Sequence, residues 1–206
     1  MNDTVTVHAL PFPLTPAGDT AWTVDTTTVS ATAPADTDIF TDPARTTDPS
    51  IAPKLNAPTL LGAPPSGDFQ LRARVTVDFE STFDAGVLLL WIDDQHWGKL
   101  CFEYSPGGEP MVVSVVTRGV SDDANGFVVD GRTVWLRVSR VDHTYAYHAS
   151  LDGKTWNLVR YFALGHASDS ANIGFQVQSP TGSGCAVVFD AIAFTTERLV
   201  DMRGGS

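Results

Sequence analysis

Nine consecutive residues constrain this chain more than any others. Across Phe69–Val77 the residues Phe69, Leu71, Ala73, Val75 and Val77 alternate without a break with Gln70, Arg72, Arg74 and Thr76. Side chains of a strand point to its two faces in turn. The pattern is that of an antiparallel strand with one dry face and one wet face. Further strands are predicted near residues 4–9, 21–31, 86–92, 96–104, 111–118, 133–141, 144–150, 156–162, 171–178 and 185–194. Turn chemistry separates them at Asp93-Asp94, Pro106-Gly107-Gly108, Asn125-Gly126, Asp130-Gly131 and Asp152-Gly153. Leu151-Asp152-Gly153-Lys154 predicts a hairpin, and Thr181-Gly182-Ser183-Gly184 another hairpin loop. Helical periodicity is not sustained anywhere, and only Thr196–Arg203 has room for a terminal helical turn. Many short strands at close spacing predict an all-β antiparallel sandwich.

With 206 residues the chain is expected to form a single domain. A chain of this size buries roughly 70% of the surface its unfolded form exposes, so it needs no disulfide or metal for stability. Residues 1–66 are rich in Thr, Pro, Ala and Asp, a linker-like composition. Yet they carry Trp22, Val24, Val29, Ile39, Phe40, Leu60 and Leu61, too many apolar anchors for a disordered segment. We expect them to be an irregular part packed on the edge of the sandwich, with residues 20–31 pairing with it and Trp22 buried. Cys101 and Cys185 both fall inside predicted strands and are expected to be reduced, buried thiols.

The net charge of −11 argues against nucleic acid and anionic membranes as partners, because both need basic patches. The first residues, Met1 to His8, have neither a basic region nor an apolar stretch of the kind that targets secretion, and no apolar run approaches a membrane span. The expected location is the cytoplasm.

Three stretches carry a family resemblance: Phe83–Leu89, His96–Glu103 and Val115–Asp122. Trp135–Arg140, Ser150–Trp156 and Ile173–Pro180 continue it in the same order. Together they resemble the regulation-of-enolase-type concanavalin A-like family over about residues 67–198. The resemblance implies a jelly-roll sandwich of two curved antiparallel sheets, as in legume lectins and many glucanases. It implies no activity, because most of that family has no assigned function, and fold alone does not give function. An aromatic residue often follows the Ser-Asp pair in that family, where this chain has Asp123.

Strand parity yields one candidate site. In His96–Tyr104, Leu100, Phe102 and Tyr104 share one face, and Trp97, Lys99, Cys101 and Glu103 the other. In the strand at 133–141, Leu136 and Val138 face the core, leaving Trp135, Arg137 and Ser139 opposite. In the strand at 171–178, Ile173, Phe175 and Val177 leave Gln176 and Gln178 opposite. If these strands are neighbours, one concave surface collects Lys99, Glu103, Arg137, Gln176 and Gln178, with Trp97 on its rim. Long donors and acceptors near an aromatic plane suit a carbohydrate or another small polar ligand. The plain alternative is a solvated ion network, worth ~0–1 kcal/mol per exposed pair.

Other chemistries fit less well. Glycoside hydrolysis needs two carboxyl groups flanking the bond. Laminarinase-like relatives of the fold set carboxylates at alternate positions on one strand, where this chain has Lys99 and Cys101 beside Glu103. Glu80 and Glu109 are predicted in turns, and Asp122 in a loop. Asp122-Asp123-Ala124-Asn125-Gly126 gathers oxygen ligands but lacks the spacing of a calcium loop, so it reads as a turn. His8, His96, His143, His148 and His166 show no metal-binding spacing. No nucleophile elbow or phosphate loop is present. The sequence thus predicts a non-catalytic ligand-binding protein with no cofactor. A structural or regulatory partner-binding domain and a glycan-active enzyme are the alternatives.

Overall fold

The computed structural model describes residues 4–165 and 170–206; His166 lies outside the described residues. The amino-terminal part contains β1 (Thr15–Ala17), β2 (Thr23–Val24), β3 (Val29–Pro34), β4 (Ile39–Phe40), β5 (Lys54–Leu55) and β6 (Thr59–Gly62). Then follow β7 (Phe69–Val77), β8 (Ala85–Asp93), β9 (His96–Tyr104), β10 (Pro110–Arg118) and β11 (Val120–Val128). The chain continues through β12 (Thr133–Val141), β13 (Thr144–Ser150), β14 (Asn157–Phe162), β15 (Asn172–Gln178) and β16 (Gly184–Thr195). Among the described residues one sheet has the order β1-β6-β15-β8-β9-β10-β11 and the other β14-β13-β12-β7-β16-β3-β2, all antiparallel. This is the concanavalin A-like jelly-roll sandwich that the alternation and the resemblance predict.

The inner faces of the two sheets make the main core. Phe69, Leu71, Val75, Leu100, Phe102, Leu136, Val138, Ile173, Phe175 and Phe189 are all buried in it. Phe175 of the first sheet meets Phe189 of the second with ring centroids 4.8 Å apart. Fully burying one such side chain contributes about 1.5–3 kcal/mol, so these residues fix which face of each strand turns inward.

Several expectations change. Asp122–Gly126 is not a turn: it lies in β11, where Asp122, Asp123, Ala124 and Asn125 pair with Val116, Val115, Ser114 and Val113. An edge strand with a largely exposed face needs no apolar alternation, which is why its sequence resembles a loop. Thr181–Gly184 is not a hairpin loop, because β15 and β16 belong to different sheets. Thr196–Arg203 forms no helix; the chain turns only at Met202–Gly205. Thr4–Ala9 makes a single bridge, Val5 to Leu14. Trp22 is half-buried rather than buried, packed on the core from outside the short β2 edge.

The amino-terminal part also reaches beyond the edge. β2 and β3 extend the second sheet, but residues 36–58 cross the outer face of the first sheet as a strap. Thr37 N–H donates to Ser179 O at 3.3 Å, and Thr41 exchanges bonds with Ser121 at 2.9 and 3.0 Å. Ile39 and Ala57 of the strap bury Ala85, Val87, Leu89, Trp97, Cys101, Val113 and Val115 beneath them, a second small core.

Candidate functional site

The register across the first sheet sets out the site in rows. Gln178, Ala85, Glu103 and Met111 follow one another across β15, β8, β9 and β10. Gln176, Val87, Cys101 and Val113 form the next row, and Leu89, Lys99, Val115 and Asp123 a third. All share the outer face, because directly paired residues of neighbouring strands point the same way. The structure therefore brings together Lys99, Glu103, Gln176 and Gln178.

Lys99 is only 2% exposed. Its Nζ donates to Asp38 Oδ1 of the strap and to Gln178 Oε1, both at 3.1 Å. Gln176 Nε2 donates to the same Gln178 oxygen at 2.7 Å, and Gln178 Nε2 donates to Phe83 O at 3.2 Å. Burial opposes the ammonium charge, but the acidic groups beside it, Asp38 first, outweigh it and hold Lys99 above its ordinary range. Burial pushes the Cys101 thiol up, so this thiol beneath the cleft stays protonated.

Beside that pair opens a cleft of about 150 Å³, lined by Asp38, Phe40, Phe83, Lys99, Glu103 and Asp123 together with Val115 and Gln178. The Glu103 carboxyl group makes no hydrogen bond with the described residues. Burial lifts its carboxyl to about 8, against the pull of Lys99. At neutral pH it carries its proton and can donate as well as accept. Burial also raises Asp123. Phe83 stands at the cleft, 38% exposed, with φ of 69°. A bulky residue in the left-handed region is strained, and such strain concentrates at functional positions. It is held there by Tyr104 O, which accepts from Phe83 N–H at 2.7 Å, and by the Gln178 bond.

Two residues expected in the site lie elsewhere. Arg137 is on the outer face of β12, in the second sheet: parity gives the face of a strand, not the sheet it joins. Trp97 is not on a rim; it is fully buried under the strap and stacks on Trp91 at 6.4 Å. Conversely, sequence reasoning missed Asp38, Phe40, Phe83 and Asp123. Asp38 and Phe40 reach the site from a segment of linker-like composition. Asp123 was assigned to a loop, and a strand reading of Val120–Val128 would have put it on the face of Asn125 and opposite Val115. On the other side of the strap lies a larger groove of about 630 Å³, floored by Trp91 and lined by Ile39, Leu55, Asn56, Thr59 and Asn172 among others, with no ionisable side chain.

Among the described residues no helix is long and apolar enough to cross a membrane. Both cysteines are free and buried.

Comparison with known proteins places this geometry. Over 136 residues the chain is 34% identical to "Regulation of enolase protein 1" of Saccharomyces cerevisiae, covering 66% of this chain and 68% of that protein. A solved structure of a functionally unknown S. cerevisiae protein superposes with a TM-score of 0.79 at 26% identity, covering 90% of this chain and 97% of that one. The GH43 protein BlXynB of Bacillus licheniformis, in a mutant form, superposes with a TM-score of 0.71 at 11% identity; it matches 95% of this chain but only 38% of its own, and the likeness is one of fold. The model of the family described as "Protein of unknown function (DUF1349)" matches residues 17–197, and the chain belongs to that family.

Proposed function

We propose that the cleft beside Lys99 binds a carbohydrate or a comparably small polyhydroxylated ligand, without catalysis, in the cytoplasm. The observation that carries this reading is Glu103: a partly buried carboxyl group, protonated at neutral pH, without a hydrogen-bond partner among the described residues, facing a cleft. Glu103 is reached from the cleft, and a ligand hydroxyl both accepts from and donates to a neutral acid. Asp123 offers a second acceptor. Phe40 and Phe83 offer aromatic faces for the C–H side of a sugar ring. The free thiols fit a reducing compartment.

Calorimetry and a glycan array test the reading. A sugar that binds the parent should bind Glu103→Ala several-fold to tenfold more weakly at neutral pH, since a hydrogen bond to a neutral group contributes roughly 0.5–1.5 kcal/mol. Binding should also weaken above pH 8, as the acid loses the proton it donates. Equal affinity in variant and parent, or no sugar binding at all, would overturn the proposal.

The name of the 34% identical relative favours a second reading, a regulatory protein that binds a protein partner. Co-purification of enolase with the intact chain, lost on substitution at the strap or cleft, is the result that reading requires.

A further inference from the structure

We propose that the outer face of the second sheet carries a separate site for the phosphate group of a small molecule, built from Arg72 and Arg137. The two arginines are directly paired across β7 and β12. Ala193 of β16 lies on the other flank of Arg72, and His148 of β13 on the other flank of Arg137. The row thus reads Ala193, Arg72, Arg137, His148, with two cations side by side and no carboxylate within it. Like charges placed opposite each other in a sheet destabilise it, and among the described residues neither guanidinium makes an ion pair. The neighbouring arginine on the same face, Arg74, is by contrast clamped by both oxygens of Asp190 at 2.7 Å.

Arg137 is 7% exposed. Its guanidinium lies 4.3 Å from the centroid of Trp156, one nitrogen donates to Gly205 O at 2.7 Å, and Nε is buried with no acceptor. Burial, then the charge of Arg72, pulls Arg137 down to about 10. Arg72 is exposed and makes no hydrogen bond with a side chain or loop of the described residues. The two line a pocket of about 320 Å³ with Gln70, Thr195 and Glu197. That is within the usual range for a ligand site, roughly 300–1,000 Å³, so it has room for an anion and part of the molecule bearing it.

The pocket is opened by a deliberate irregularity. The register of β16 against β7 shifts between Asp190 and Ala193, and Ala191 takes a left-handed φ of 46°. Bulges of this kind re-aim side chains next to binding sites, and here the bulge sets small Ala193 against Arg72. Thr195 Oγ accepts from Glu197 N–H at 3.1 Å, which leaves its hydroxyl hydrogen to donate. The Arg72 fork, the Arg137 N–H groups that face the pocket and a hydroxyl match a dianionic phosphate better than a single carboxylate. Glu197 is the one carboxylate in the pocket and opposes the ligand.

The test uses the full chain, with inorganic phosphate and glycerol 3-phosphate as probes and acetate as the carboxylate control, read by calorimetry and thermal shift. Both phosphates should bind and acetate should not. Arg72→Gln should weaken binding at least tenfold, with a melting temperature in the absence of probe no lower than the parent's, because it also removes the like-charge pairing. Glu197→Gln should tighten it, and Arg118→Gln, an exposed arginine on the first sheet, should leave it unaltered. Absence of phosphate binding by the parent, equal affinity in Arg72→Gln, or acetate binding as tightly as phosphate would each overturn the proposal.

Discussion

Lys99 and Arg137 occupy matching situations on opposite sheets. Each sits on an outer face, each is more than nine-tenths buried (2% and 7% exposed), and each lies near an indole, Trp97 at 5.9 Å and Trp156 at 4.3 Å. They differ in what answers the charge. Lys99 has Asp38 and the Gln178 oxygen within 3.1 Å. Arg137 has a backbone oxygen and another cation. The nearby ionisable groups diverge in the same way. Glu103 keeps its proton to about 8, while burial and then Arg137 push His148 down to about 4, so it stays neutral. The first face neutralises itself from within the chain; the second is left needing an anion from outside.

The largest effect should come from Lys99→Met. It leaves Asp38 without its cation and takes one of two donors from the Gln178 oxygen, and removing one partner of a buried pair costs about 3–5 kcal/mol. Denaturant unfolding measures it. Adding Asp38→Leu should restore most of the loss, since an apolar pair of similar volume is often as stable as the ion pair. If Lys99→Met costs no more than an exposed pair, the contrast between the faces fails.

The pH dependence comes next. Glu103 has a folded value above its unfolded one, so its contribution is complete below about 4.5 and is lost as pH rises to about 8. His148 has a folded value below its unfolded one, so its contribution is complete above about 6.5 and is lost as pH falls towards 4. Between pH 6.5 and 8 His148 is silent, and stability should fall with rising pH. Glu103→Gln should flatten that fall. Each kcal/mol lowers Tm by about 2–4 °C in a chain of this size, within reach of thermal melts at closely spaced pH.

Arg137→Met should cost far less than Lys99→Met, about 1 kcal/mol. It loses the bond to Gly205 and the cation–π contact but removes an unpartnered Nε and a like-charge pairing. A cost as large as that of Lys99→Met in the same unfolding assay would show that the second face is balanced after all. The smallest effect is expected at Phe83→Gly, between zero and about 1 kcal/mol of stabilisation, as left-handed strain is relieved against the entropy of glycine. The same variant should bind sugar more weakly.

Period-two alternation is the part of this molecule that could be read in advance, because a strand with one dry face has no other solution. It placed Phe69, Leu136 and Phe175 inside and Lys99, Glu103 and Gln178 on the opposite face of their own strands. Arg137 shows its limit. Its parity was right and its sheet was not, because the path of β12 to β7 rather than to β9 is decided by contacts between residues far apart in the chain. Asp38 shows a second limit. It pairs with a lysine 61 residues away from within a segment whose local composition favours turns. β11 shows a third, since an exposed edge has no apolar pattern to read.

The strap has a consequence for how the molecule breathes. Thr37 is joined to Ser179 across 142 residues, and Thr41 to Ser121 across 80. β3 and β6 hold the two ends of the strap in the sheets, and between them strands β4 and β5 are only two residues long. Residues 36–58 should therefore detach and reattach as a unit while the sandwich stays intact. Amide hydrogens of Ile39 and Ala57 should exchange with solvent deuterium far sooner than those of Leu100 and Phe175. Each such opening would briefly convert the roof of the cleft into its doorway.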